Sequence, residues 1–139
     1  MLVEAIKAAG YEPGKQVMLG LDVAASEFHS KGKYFFDKDR AGFTSEKITD
    51  TFESCIKKYP LVLIEDPLSE DAWAGWKELT QQMSKGTVLV GDDIFVTNPE
   101  IFARGIREKV GNAILIKVNQ IGTISETMKT IAMAKANGY

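Results

Sequence analysis

The sequence predicts an α/β domain built on a parallel β-sheet. Four short apolar runs, at 17–21, 61–64, 87–90 and 113–116, alternate with segments whose apolar residues recur at helical spacing. Strands that are apolar throughout are typical of a parallel sheet covered on both faces, since a solvated face would produce alternation. The 139 residues contain no Pro/Gly/Ser-rich linker, so we expect one domain.

Helical segments lie between these runs. An amphipathic helix is predicted over 2–9 and another over 71–83. Three further helices begin with side chains that can accept backbone N–H groups. These signals are Thr44 or Ser45, Asn98 before Pro99, and the Thr123–Glu126 capping box.

The alternation of helices and strands fits two architectures, a doubly wound sheet and a (β/α)₈ barrel. A complete barrel has eight strands and about 250 residues. The four predicted strands would therefore form about four βα units, or half a barrel.

Composition excludes several functions. With 17 basic and 19 acidic residues the net charge is −2, and the basic residues are not interleaved with aromatic ones, so no nucleic-acid site is expected. No apolar run approaches the ~20 residues that span a bilayer, so no membrane segment is expected. The single cysteine, Cys55, excludes an internal disulfide and fits a reducing compartment. The N-terminus shows no signal peptide, so we expect a cytoplasmic location.

Each predicted strand ends in a charged residue, in order Asp22, Glu65, Asp92 and Lys117, and Asp66 and Asp93 follow two of them directly. One such residue alone would usually be a turn former or a helix cap. Parallel strands, however, bring their carboxyl ends to one edge, where both candidate architectures place their active sites. Four charged ends in succession therefore favour a functional cluster.

The chemistry of this cluster points to a metal-assisted proton transfer. Three carboxylates without a companion His or Cys suit a hard cation, Mg²⁺ first, with Mn²⁺ or Ca²⁺ as substitutes. A cation beside Lys117 would disfavour its ammonium form and lower its pKa toward that of a general base. The cluster could then remove a proton next to a substrate carboxylate.

Four segments resemble the enolase family: LDVAASEF at 21–28, IEDP at 64–67, VGDDIFVTNP at 90–99 and LIKVNQIGT at 115–123. They occur in that family's order and at similar separations, and the likeness covers essentially the whole chain. The resemblance implies that Asp22, Glu65 and Asp92 ligate Mg²⁺ and that Lys117 takes the C2 proton of 2-phosphoglycerate. It also implies that Glu65, Asp92 and Lys117 contact the substrate. Enolase-superfamily sites use a Lys or His base with one or two Mg²⁺ ions.

The resemblance also suggests what residues 1–139 represent. They are similar to the central part of the enolase C-terminal barrel, strands three to six of eight. The N-terminal domain, the general-acid glutamate and the last strands of the family have no counterpart. We therefore expect the isolated chain not to interconvert 2-phosphoglycerate and phosphoenolpyruvate, the glycolytic reaction of the family. The alternatives are a non-catalytic folded fragment that binds or oligomerises, and another acid–base enzyme of the enolase superfamily.

Two further expectations concern surfaces and loops. Half a barrel has two open strand edges, which are templates for pairing, so we expect a homo-oligomer. Near the charged cluster, His29 is expected in a solvated loop, and Ser26 with Glu27 either shapes the site or caps the loop. For Gln120 the sequence favours a role in loop geometry over substrate contact.

Overall fold

The computed structural model describes residues 1–36 and 41–139. The strands are β1 (Leu19–Asp22), β2 (His29–Ser30), β3 (Lys33–Tyr34), β4 (Leu61–Glu65), β5 (Val88–Gly91) and β6 (Ala113–Ile114). The helices are α1 (Leu2–Ala8), α2 (Ser45–Lys58), α3 (Trp73–Met83), α4 (Pro99–Glu108), α5 (Val118–Ile121) and α6 (Ile124–Ala136), with a 3₁₀ turn at Ala25–Phe28.

The four apolar runs form one parallel sheet, in the order β1-β4-β5-β6. Neighbouring strands in this sheet are also successive in the α/β part of the sequence, as in a βαβ series. The α/β class and the parallel sheet are therefore confirmed. Strands β2 and β3 form a separate antiparallel hairpin that turns at Gly32, whose φ is +74°.

The predicted helix starts are confirmed by their caps. The Thr44 hydroxyl accepts the N–H of Lys47, and the Asn98 side chain accepts two N–H groups of the first turn of α4. The Thr123 hydroxyl accepts the N–H of Glu126, as the capping box requires. Short helix α5, which follows β6 almost at once, was not expected from the sequence.

One face of the sheet is packed against helices. Ile64 of β4 and Leu89 of β5 are fully buried there, in a core with Trp76 and Leu79 of α3 and Phe102 of α4. The indole N–H of Trp76 donates to a main-chain carbonyl, so this large ring is buried without an unpaired donor. Helices α2, α3 and α4 thus cover this face.

The face of the sheet opposite the helices is only partly covered, since Val90 is buried there whereas other residues of that face are exposed. Register pairs Leu63 with Val88 and Asp22 with Glu65, so these residues share the face opposite the helices. On that face Gly20 is exposed and Val88 retains 42% of its accessible surface. Apolar strands therefore do not guarantee that both faces of the sheet are equally buried.

The first helix also differs from expectation. Amphipathic α1 has the predicted position, but it contains no buried residue, and Leu2 is 60% exposed. None of the helices in the described ranges combines the length and apolar character needed to cross a bilayer.

Candidate functional site at the carboxyl edge of the sheet

The charged residues predicted from the strand ends lie at one end of the sheet. Asp22 and Glu65 are the last residues of β1 and β4, and Asp92 directly follows β5. Lys117 lies three residues beyond β6, where it caps α5, so the last strand is shorter than predicted. Since all four strands are parallel, these residues share one edge.

Glu65 is surrounded by other carboxylates. Asp22 is its register partner on β1, and the N–H of Val23 donates to the Glu65 carbonyl at 2.9 Å. Burial raises the pKa of the Glu65 carboxyl, and the charges of Asp22 and Asp92 raise it further. The ammonium of Lys117 opposes this rise only in part. The ammonium of Lys117 therefore offsets only part of the negative charge of these carboxylates.

Asp92 lies at the centre of the polar contacts. It is nearly buried, and its Oδ2 accepts a hydrogen bond from the Lys117 ammonium. Its Oδ1 accepts a hydrogen bond of 2.8 Å from the side-chain amide of Gln120. Gln120, expected only to shape its loop, thus holds one of the predicted ligands in place.

A lowered pKa of Lys117 is expected beside a divalent cation and stays a prediction, whereas the protein's own groups shift this pKa in the opposite direction. The hydrogen bond to Asp92 raises the pKa of the Lys117 ammonium, and the charges of Asp92 and Glu65 add to the rise. Desolvation, which acts in the lowering direction, is outweighed. Lys117 is therefore a cation paired with Asp92 in this arrangement.

Asp66 links the ends of β4 and β5. Its Oδ1 accepts the N–H of Asp92 at 3.0 Å, and its Oδ2 accepts the N–H of Asp93 at 2.9 Å. Its own N–H donates to the Val90 carbonyl, and its φ of +40° lies in the left-handed region, which Asp tolerates better than most residues. Burial raises the pKa of Asp66 to about 6, although both backbone N–H groups act against the rise.

The metal-ligand geometry differs from the predicted grouping. Among the described residues, the three carboxylates with oxygens within 4.8 Å of one another are those of Asp66, Asp92 and Asp93, a cluster that could hold a metal ion. The carboxylate oxygens of the predicted set, Asp22, Glu65 and Asp92, do not all lie within 4.8 Å of one another. The assignment of those three residues as ligands remains a prediction.

Thr97 organises the loop that carries Lys117, and sequence reasoning missed it. The fully buried Thr97 hydroxyl accepts the main-chain N–H of Lys117 at 2.8 Å and donates to Gln120 Oε1 at 3.1 Å. Its carbonyl accepts the hydroxyl of buried Thr130 at 2.9 Å. No spacing rule links a threonine to a lysine 20 residues later, so the sequence offered no signal.

The loop between β5 and α4, which contains Thr97, has unfavourable backbone geometry. Val96 has φ +43° and Thr97 has φ +57°, a left-handed conformation that is rare for β-branched residues. Each such residue costs of order 1–3 kcal/mol and persists only where surrounding contacts enforce it. The hydrogen bonds of Thr97 to Lys117, Gln120 and Thr130 supply that enforcement.

The loop after β1 is tied to the loop after β4. The Ser26 hydroxyl donates to the Glu70 carboxylate at 2.8 Å and accepts the Glu70 N–H at 3.2 Å. The structure thus places Ser26 in a contact between these two loops. His29 lies in β2, where its ring is 4.8 Å from that of Tyr34.

Comparison with protein families agrees with this architecture. The family model for the C-terminal TIM barrel domain of enolase matches residues 1–139. The parallel sheet and its helices have the order expected for part of such a barrel. The chain belongs to the enolase C-terminal TIM barrel domain family.

Proposed function

We propose that the carboxyl edge carries the metal-binding and proton-abstracting part of an enolase site. In this proposal Asp22, Glu65 and Asp92 bind Mg²⁺, and Lys117 takes the C2 proton of 2-phosphoglycerate on the way to phosphoenolpyruvate. The observation that supports it is the contact of the Lys117 ammonium with Asp92, at the edge where Asp22 and Glu65 also lie. Glu65, Asp92 and Lys117 would also contact the substrate.

The residues present fit a magnesium ion by their chemistry. The donors are carboxylate oxygens, which Mg²⁺ prefers. A bound cation would also offset the charges of Asp22 and Asp92, which add to the rise in the pKa of Glu65. When bound, Mg²⁺ would offset the charge that develops on the substrate carboxylate and weaken the hold of Asp92 on the Lys117 proton.

The chain's own groups position the base. Thr97 fixes the main-chain N–H of Lys117, and Asp92 fixes its ammonium. Lys117 must lose a proton before it can accept one from C2. Because its 42% exposed side chain reaches solvent, that proton has a route out.

Calorimetric titration of Mg²⁺ into the 139-residue chain tests the ligand assignment. We expect saturable binding that Glu65→Gln and Asp92→Asn each weaken at least about tenfold, or 1.4 kcal/mol. The matched controls are Glu53→Gln and Asp50→Asn on the exposed side of α2, which should leave the affinity unchanged.

Asp93→Asn separates this assignment from the alternative cluster of Asp66, Asp92 and Asp93. If Asp93→Asn weakened the binding of Mg²⁺ while Glu65→Gln did not, the ion would occupy the alternative cluster and the proposal would be wrong. Absence of saturable binding would also contradict it.

The substrate assignment has its own test. We expect 2-phosphoglycerate to bind the chain in the presence of Mg²⁺ and to lose affinity in Lys117→Met, as followed by NMR of the phosphorus nucleus. Binding that is independent of both Mg²⁺ and Lys117 would show that the ligand sits elsewhere. The single cysteine, Cys55, is free, which agrees with the reducing, cytoplasmic compartment proposed for this reaction.

A further inference from the structure

A closed ring of hydrogen bonds begins and ends at Lys117. Its main-chain N–H donates to the Thr97 hydroxyl at 2.8 Å, and that hydroxyl donates to Gln120 Oε1 at 3.1 Å. The side-chain amide of Gln120 donates to Asp92 Oδ1 at 2.8 Å, and Asp92 Oδ2 accepts the Lys117 ammonium. The ring therefore joins the segment that follows β5 to the segment that follows β6.

The direction of the donors in this ring fixes the orientation of the Gln120 amide. An ionised Asp92 carboxylate only accepts hydrogen bonds, so the amide must turn its NH₂ group toward it. The amide oxygen then faces Thr97, whose hydroxyl proton is free to be donated because the hydroxyl oxygen accepts the Lys117 N–H. The reversed amide would place two oxygens 2.8 Å apart. One oxygen of Asp92 is thus held by a neutral donor and the other by a cation.

These two contacts of Asp92 differ in their response to a second cation. A divalent ion beside Asp92 would repel the Lys117 ammonium, and the 42% exposed lysine side chain can turn to solvent. The Gln120 amide carries no net charge, and Gln120 is partly buried. The bond from Gln120 therefore remains as the restraint on the nearly buried Asp92 carboxylate when a cation is bound.

The freedom of a carboxylate to rotate affects which divalent cation it binds. Mg²⁺ demands a nearly ideal arrangement of its ligands, whereas Ca²⁺ tolerates variable geometry and takes one or both oxygens of a carboxylate. A restrained carboxylate thus favours Mg²⁺, and a freely rotating one can turn both oxygens to Ca²⁺. Loss of a side chain that orients a metal ligand typically costs about 10- to 100-fold in metal affinity.

We infer that Gln120 is a positioning residue that makes this edge selective for Mg²⁺ over Ca²⁺, because it holds Oδ1 of Asp92. The inference rests on the proposed function, in that Asp92 ligates the cation. Asp92 also belongs to the alternative cluster with Asp66 and Asp93. The role of Gln120 is therefore the same whichever of the two groups of ligands holds the ion.

Calorimetric titrations of Mg²⁺ and of Ca²⁺ into the 139-residue chain test the inference. Gln120→Met keeps the length of the side chain but removes both of its hydrogen bonds. In this variant the Kd for Mg²⁺ should rise at least about tenfold. The Kd for Ca²⁺ should stay nearly constant, because Ca²⁺ does not need a fixed carboxylate. The preference for Mg²⁺, measured as the ratio of the two constants, should therefore fall by about the same factor as the affinity for Mg²⁺.

Asn119→Met is the matched control, because Asn119 is the exposed neighbour of Gln120 on α5. It should leave both constants unchanged. In Gln120→Met the Thr97 hydroxyl still has an acceptor, since the Leu115 carbonyl lies 3.4 Å away. Urea unfolding verifies that each variant is folded. Gln120→Asn, whose shorter side chain cannot reach from Thr97 to Asp92, is a second variant and should lose the same preference.

Equal losses of Mg²⁺ and Ca²⁺ affinity in Gln120→Met would indicate a structural role alone and overturn the inference, as would an unchanged preference. If Glu65→Gln and Asp92→Asn still weakened the binding of Mg²⁺, the proposed function would stand without the inference. If Asp93→Asn weakened it and Glu65→Gln did not, the proposed function would be wrong, and a lost preference in Gln120→Met would still support the inference. A wild-type chain that binds neither cation would overturn both.

Discussion

A few buried polar side chains determine the geometry around Lys117. The Thr97 hydroxyl serves both Lys117 and Gln120, and Gln120 in turn holds Asp92. Each of these groups lies 20 or more residues from its partner in the sequence. These hydrogen bonds could not be predicted, because no local sequence pattern indicates which loops contact one another.

Replacing Thr97 by valine should destabilise the fold. The substitution nearly preserves shape but leaves the N–H of Lys117 and the side-chain oxygen of Gln120 without a partner, at a cost of about 1–3 kcal/mol. Urea unfolding measures the loss. Thr51→Val on the exposed side of α2 is the control and should stay within about 0.5 kcal/mol. Equal stabilities for the two variants would contradict the role given to Thr97.

Tyr139 should make stability depend on alkaline pH. Burial raises the pKa of its phenol, which donates to the Val110 carbonyl at 3.0 Å. The folded state therefore favours the neutral phenol, and this stability is complete below about pH 10 and lost as pH rises through the higher folded value. Tyr139→Phe should cost about 1 kcal/mol at neutral pH. The difference between the two proteins in free energy of unfolding should shrink as pH rises above about 10, as measured by urea unfolding. A difference constant with pH would exclude this explanation.

At the level of elements, most of the fold follows from local signals. The four apolar runs became the four strands of the parallel sheet, and the caps at Thr44, Asn98 and Thr123 begin helices as predicted. Strand β6 is shorter than its apolar run. Leu115 still donates its N–H to the Gly91 carbonyl of β5, and the chain then turns to Lys117, whose N–H bonds to Thr97. The shorter strand depends on this tertiary contact, which cannot be predicted from hydrophobic periodicity.

The cap of α4 gives a prediction at this scale. Asn98 accepts the N–H groups of Glu100 and Ile101 at 2.9 and 3.2 Å, so Asn98→Ala should cost about 1 kcal/mol. Thermal unfolding followed by circular dichroism measures the shift. Asn137→Ala, which removes one exposed hydrogen bond at the end of α6, is the control and should have a smaller effect. A larger loss for Asn137→Ala would contradict the importance of the α4 cap.

For the whole molecule, the sequence predicted the architecture better than the extent of burial. Four apolar runs and their order indicate a parallel α/β sheet and half a barrel, and the sheet is observed. The same runs suggested that both faces are buried, whereas the face bearing Leu63 and Val88 remains partly open. The apolar composition of a strand alone therefore does not determine how completely each of its two faces is buried.

We expect the isolated chain to form no detectable phosphoenolpyruvate from 2-phosphoglycerate in the presence of Mg²⁺. Loss of the C3 hydroxide needs an acid, which the family resemblance places outside residues 1–139, and one such proton transfer contributes roughly 10²–10⁴ in rate. The open sheet edge also admits water. A coupled assay measures the product, with a complete enolase as positive control. Turnover by the chain that Lys117→Met abolishes would refute this expectation.

The hydrogen bonds that Asp66 accepts from Asp92 and Asp93 have a consequence for motion at the edge. The ends of β4 and β5 cannot separate without breaking both bonds, so Glu65 and Asp92 are held as parts of one rigid body. We expect the amide protons of Asp92 and Asp93 to exchange with deuterated solvent only on global unfolding, although they lie beyond the end of β5. Exchange as fast as at the exposed Gly32 turn, followed by NMR, would contradict this. A ligand that contacts both Glu65 and Asp92 therefore meets groups that are already ordered, and its binding loses little conformational entropy.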